Sequence, residues 1–98
     1  MSASDLQARP VLTPHARVQK DPVSGDPVLL YPEGVLMLNA TAEAILAQVN
    51  GIATIEQILA ALAAEFEVTP DELQADVFEY LAELEQRRLL TLQPASGA

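Results

Sequence analysis

A chain of 98 residues with fourteen acids against five bases, a net charge of −9 and no cysteine suffices for one domain with one modest core. The missing cysteine excludes disulfides and thiolate metal sites. The charge argues against nucleic acid, because displacing counterions from phosphates takes a basic face, and Arg9, Arg17, Lys20, Arg87 and Arg88 are scattered. The opening "MSASDLQARPVLTP" carries no apolar signal-peptide region, and no stretch approaches the ~20 apolar residues of a membrane span. The expected class is a soluble cytoplasmic protein that does not meet the membrane.

Residues 1–13 are polar and aperiodic, so a flexible arm is expected there, with the domain over 14–92 and a tail over 93–98. Ala16–Lys20 reads as a short half-polar strand. The turn-rich "DPVSGDP" follows, then "VLLY". "YPEG" (Tyr31 to Gly34) predicts a type I turn closing into a bulge, with Gly34 at positive φ. Val28–Tyr31 and Val35–Leu38 then form the arms of a tight hairpin. Together these segments predict a three-stranded antiparallel β-meander.

The second half reads as helix. "NATAEAILAQVNG" opens on capping residues Asn39 and Thr41, carries Ile45, Leu46 and Val49 on one stripe, and is expected to stop at Asn50-Gly51. "TIEQILAALAAEF" has Thr54 and Gln57 in capping-box spacing, with Ile55, Ile58, Leu59, Leu62 and Phe66 at helical period. In "TPDELQADVFEYLAELEQRRLL" Thr69 caps, Pro70 takes the first helical position and Glu72 completes the box. Leu73, Val77, Tyr80, Leu81 and Leu84 form its stripe, and Arg87 and Arg88 suit the negative end of the helix dipole. "LLTL" can then tuck back on the core. The class is α+β, in the order βββααα. Three short helices cannot shield both faces and the edge of the meander, so apolar positions in Leu29–Leu38 are left without an intramolecular partner.

The segment "LLYPEGVLMLNATAEAIL" resembles the hallmark of the PqqD family, and the likeness runs from about Pro14 to Leu90. It includes the tyrosine-proline-glutamate-glycine turn, the apolar strand, the asparagine-glycine break and an acidic third helix. The resemblance implies a winged-helix-like peptide-recognition element for ribosomally made, modified peptides. It also implies a peptide chaperone that binds the precursor PqqA and presents it to the radical SAM enzyme PqqE in pyrroloquinoline quinone biosynthesis. Related domains take up leader peptide as an added strand. By position in the motif, Val35, Leu36, Met37 and Leu38 would supply the strand edge, and Val77, Tyr80, Leu81 and Leu84 the walls on the third helix. Half of those walls are expected to be core in the empty domain.

The remaining features have plainer readings. His15, with no second histidine, is expected at the surface and not on a metal. Asp71, Glu72, Asp76, Glu79, Glu83 and Glu85 read as the wet face of the third helix, with a secondary role in steering a basic peptide. No nucleophile–base pair or phosphate-cradling glycine loop is present, so the chain reads as a non-enzyme without a cofactor. Two other peptide or regulatory roles compete: recognition in another modified-peptide pathway, and a winged-helix regulator, which the acidic third helix disfavours. An acyl carrier would need an aspartate-serine-leucine attachment site, and none occurs. The uncapped strand edge also predicts a weak homodimer.

Overall fold

The computed structural model describes residues 6–93. Its elements in chain order are β1 (Arg9–Leu12), β2 (Arg17–Lys20), β3 (Pro27–Tyr31), β4 (Gly34–Met37), α1 (Ala40–Ala47), α2 (Ile55–Phe66), α3 (Pro70–Gln86) and β5 (Leu90–Gln93). Strands β2, β3 and β4 form the expected antiparallel meander with β3 in the centre, and β1 pairs with β5 in a separate two-stranded ribbon.

That ribbon corrects the expected arm. Residues 1–5 and 94–98 lie outside the described residues, but Arg9–Leu12 is a strand, with Arg9 opposite Gln93 and Leu12 opposite Leu90. Pro10 is fully buried. The Ile55 N–H donates to the Ala8 carbonyl at 2.9 Å, which ties the segment to the start of α2. Local periodicity cannot give this pairing, because the partner strand lies at the other end of the chain. A ribbon of two strands also accepts the proline, whose missing N–H would break a central strand.

Each helix begins where its capping residues predict. The Asn39 Oδ1 accepts from the Ala42 N–H at 2.7 Å. Thr54 with Gln57 and Thr69 with Glu72 both form complete capping boxes. The ends differ more. α1 stops at Ala47, short of the expected Asn50-Gly51, because the N–H groups of Gln48 and Val49 turn back to Ile45 and Leu46 in tighter bonds. Beyond α3, Arg88 adopts a left-handed φ of 61°. There the Leu89 N–H donates to the Leu84 carbonyl at 3.0 Å and the Arg88 N–H to Glu85 at 3.0 Å, the paired bonds that close a helix and reverse the chain. This reversal sends Leu89 and Leu90 into the core.

The core lies between one face of the meander and the three helices. Leu29 meets Ile45 and Leu46 from α1, Ile55, Ile58 and Leu62 from α2, and Val77, Leu81 and Leu84 from α3 in one cluster. Burying each such side chain contributes about 1.5–3 kcal/mol before entropy is set against it. Phe78 is also buried, although the sequence stripe omitted it, and Phe66 is more exposed than its stripe position predicts.

The hairpin turn needs a second correction. Tyr31 pairs directly with Gly34 across Pro32 and Glu33. The only described residues at positive φ are Gly25, Gly51, Glu67 and Arg88. The turn is therefore a two-residue connection with no left-handed bulge at Gly34. The left-handed glycine that matters is Gly51, at φ 80°, in a loop where Asn50 Oδ1 accepts from the N–H groups of Ile52 and Ala53, each at 2.9 Å.

These conformations make opposite predictions for two alanine substitutions. Gly51→Ala should destabilise the domain by about 1 kcal/mol, the left-handed penalty less the entropy removed from the unfolded chain. Gly34→Ala should stay within about 0.5 kcal/mol of wild type, because its new Cβ meets the Tyr31 side chain at ordinary contact distance, nearest the hydroxyl at 3.4 Å. Urea melts of the two variants decide it, and equal losses would contradict the backbone described.

Candidate peptide-binding site

Strand β4 is an edge. It pairs with β3 as Met37 to Val28, Leu36 to Leu29 and Val35 to Leu30, and among the described residues no strand adjoins its other side. The hydrogen bonds follow by alternation along an antiparallel ladder. Tyr31 and Gly34 close the hairpin, and the Leu38 N–H donates to the Pro27 carbonyl at 3.1 Å. Gly34, Leu36 and Leu38 therefore direct their backbone groups at β3. Val35 and Met37 direct theirs outward, where each leaves an N–H and a C=O for another strand.

The side chains alternate as well. Leu36 packs against the core and Leu38 is buried within it, whereas Val35 is 52% and Met37 64% exposed. The opposite edge strand, β2, is exposed throughout and bears Arg17 and Lys20. Charge on an edge hinders pairing. β4 has no charge and no proline, so it is the edge open to another chain.

Just past Leu38 the chain enters a groove of about 330 Å³ between α1 and α3. Asn39, Thr41 and Ile45 line one side, and Asp76, Glu79, Tyr80 and Glu83 line the other. Burial, with the Glu83 carboxylate adding to it and Arg87 opposing, raises the Tyr80 phenol above its ordinary value. Tyr80 thus keeps its proton and can donate a hydrogen bond into the groove. Arg87 is itself drawn to Glu83 at 3.3 Å, an exposed pair. The groove keeps an excess of negative charge.

Of the expected walls on α3, only Tyr80 lines this groove. Val77, Leu81 and Leu84 are each no more than 1% exposed and belong to the core. A helix with one apolar stripe spends the middle of it on its own domain, and only the margin reaches a surface. Asp76, Glu79 and Glu83, expected as a wet face with a secondary steering role, are exposed and also border the groove. Their signal was the helical spacing that puts them beside Tyr80 on one strip. His15 is exposed, as expected.

The family model for "Coenzyme PQQ synthesis protein D (PqqD)" matches residues 27–90. The chain belongs to the PqqD family. A PqqA binding protein of Xanthomonas oryzae pv. oryzae is 37% identical over 92 residues, covering 94% of this chain and all of the relative. A PqqA binding protein of Azotobacter vinelandii is 40% identical over 92 residues, covering 94% and 99%. Among solved structures, the PqqD truncation of Methylobacterium extorquens PqqCD is similar with a TM-score of 0.75 at 33% identity, over 92% of this chain and 95% of that one. It is described as a functional, stand-alone recognition element for ribosomally synthesized, modified peptides. PqqD of Xanthomonas campestris gives a TM-score of 0.57 at 36% identity, over 83% and 90%. The PqqD-family match spans both β4 and α3, the two elements of the candidate site.

The raised phenol gives a pH prediction. A proton held more tightly in the folded state stabilises it below the unfolded value of 10.0 and ceases to do so as pH rises through the higher folded value. Wild type should therefore lose stability relative to Tyr80→Phe on going from about pH 9 to above pH 10. Urea midpoints of the two proteins across that range test it, and a constant difference would show that the phenol is not perturbed.

Proposed function

We propose that this PqqD-family protein is a non-catalytic, cytoplasmic peptide chaperone that binds the precursor PqqA by strand addition at β4 and presents it to the radical SAM enzyme PqqE. The observation that carries the reading is the open edge of β4, where Val35 and Met37 present unpaired backbone groups beside the α1–α3 groove. The relatives' names, PqqA binding protein in each case, support the choice of peptide. Main-chain bonds to an added strand supply affinity with little demand on sequence, and side chains beside it supply selection. The carboxylates of Asp76, Glu79 and Glu83 favour a peptide that enters the groove with a lysine or arginine.

Titration of ¹⁵N-labelled protein with PqqA should perturb the Val35 and Met37 amides most, together with those around Tyr80. Met37→Pro deletes an outward N–H while leaving the β3–β4 bonds in place, and should weaken binding about tenfold provided circular dichroism shows the fold intact. If perturbations cluster instead on Ala47–Ile52 with β4 silent, strand addition is the wrong mode.

A second copy of the chain competes for the same edge. With no peptide present, concentrated protein should form a weak dimer that strengthens as salt screens the net charge of −9. Added PqqA should return it to monomer. Sedimentation at low and high salt, with and without PqqA, measures both effects; a dimer that takes up peptide at unchanged mass would place its interface elsewhere.

A further inference from the structure

Two asparagines occur in the chain, Asn39 and Asn50, and each uses its side-chain oxygen to accept backbone N–H groups. Their neighbours differ. Ala40 follows Asn39 and is the first residue of α1, so its Cβ and the helix fix the peptide beside the cap. Gly51 follows Asn50 in the α1–α2 loop, at a φ of 80° and with no side chain. The space within 4 Å of where a Cβ would stand holds only Val11 Cγ2, at 3.8 Å. Asn50 is exposed, and among the described residues the Gly51 N–H has no hydrogen-bond acceptor. A free amide nitrogen thus lies one residue from a carboxamide carbon, where neither helix nor strand restrains them.

From this we propose that Asn50 is a self-modification site whose conversion unfastens the α1–α2 loop from β1. The Gly51 nitrogen gives its proton to solvent base and adds to the Asn50 Cγ. The Cγ–Nδ2 bond breaks, ammonia leaves, and a cyclic imide closes. Water then opens the imide at either carbonyl, so that water is consumed, ammonia is released and nothing is oxidised or reduced. Opening at Cγ gives aspartate; opening at the main-chain carbonyl gives an isoaspartyl link that runs through the β-carbon. The two products act differently on the fold. Aspartate keeps an oxygen for the Ile52 and Ala53 N–H groups, which Asn50 holds at 2.9 Å each, and a carboxylate accepts them more strongly. The isoaspartyl link takes that oxygen away and lengthens the main chain by a methylene just before Gly51. The displacement falls on Ile52, whose carbonyl accepts from the Arg9 Nε at 3.0 Å and ties the loop to β1.

The full chain, held at mildly alkaline pH and followed by peptide mapping with mass spectrometry, tests the site. Asn50 should convert from amide to acid at least about tenfold faster than Asn39, and Gly51→Ala should slow it by a similar factor, because a Cβ crowds the approach of the nitrogen. The comparison with Asn39 is internal to wild type and stands whether or not Gly51→Ala folds. Ion exchange isolates the converted protein, and Asn50→Asp supplies the pure aspartate form. Amide hydrogen exchange should show protection lost at Ile52, Ala53 and β1 in the converted protein and kept in Asn50→Asp. An unreacted Asn50, conversion no faster than at Asn39, or an undiminished rate in Gly51→Ala overturns the site. Converted protein as well protected as Asn50→Asp overturns the link to β1.

Discussion

The inward placement of Leu29 fixes the geometry on which everything else depends. It lies in the central strand, fully buried, with Leu36 beside it and α1, α2 and α3 packed around it. Side chains in a strand alternate, so a slip of one residue would exchange the two faces of the sheet. With Leu29 inward, Leu30, Val35 and Met37 must point outward. The same alternation governs the backbone: once Leu36 bonds to β3, Val35 and Met37 must aim their N–H and C=O groups at the open edge. One apolar contact in the core thus sets which atoms a visiting strand would meet.

Charge divides the surface along the same lines. α3 bears six acids between Asp71 and Glu85, and three of them border the groove. β2 bears Arg17 and Lys20 on an edge where charge discourages pairing. The two edges of the meander therefore differ in kind, one guarded and one open. The open one leads into the acidic groove through Leu38 and Asn39.

What could be read from the sequence follows from how local the deciding interactions are. The caps at Asn39, Thr54 and Thr69 act within three residues, and all three were legible with the helices they start. The order of strands and helices, and the hairpin of β3 and β4, were legible for the same reason. The β1–β5 ribbon was not, because its partners sit at opposite ends of the chain and Arg9–Leu12 does not alternate. Gly34 was misplaced because tyrosine-proline-glutamate-glycine is compatible with either a bulge or a plain two-residue turn, and pairing with Tyr31 selects between them. For the candidate site, the expectation of an open apolar strand rested on the shortage of polar residues in Leu29–Leu38. The helical walls were not legible: Val77, Leu81 and Leu84 share the stripe with Tyr80, and only packing reveals which residue lies at its margin.

Magnitudes show why an open edge alone would be an insufficient receptor. Val35 and Met37 present four backbone groups, and hydrogen bonds contribute about 0.5–1.5 kcal/mol net each. Four of them supply roughly 4 kcal/mol, whereas micromolar affinity needs about 8, after the cost of ordering a flexible peptide, itself about 2–5 kcal/mol. The remainder has to come from side chains, at about 25 cal/mol for each Å² of apolar surface covered. Val35 and Met37, exposed beside the edge, and Tyr80 in the groove are the residues placed to provide it. Backbone pairing would then set the position and direction of the peptide, and these side chains would decide which peptide stays.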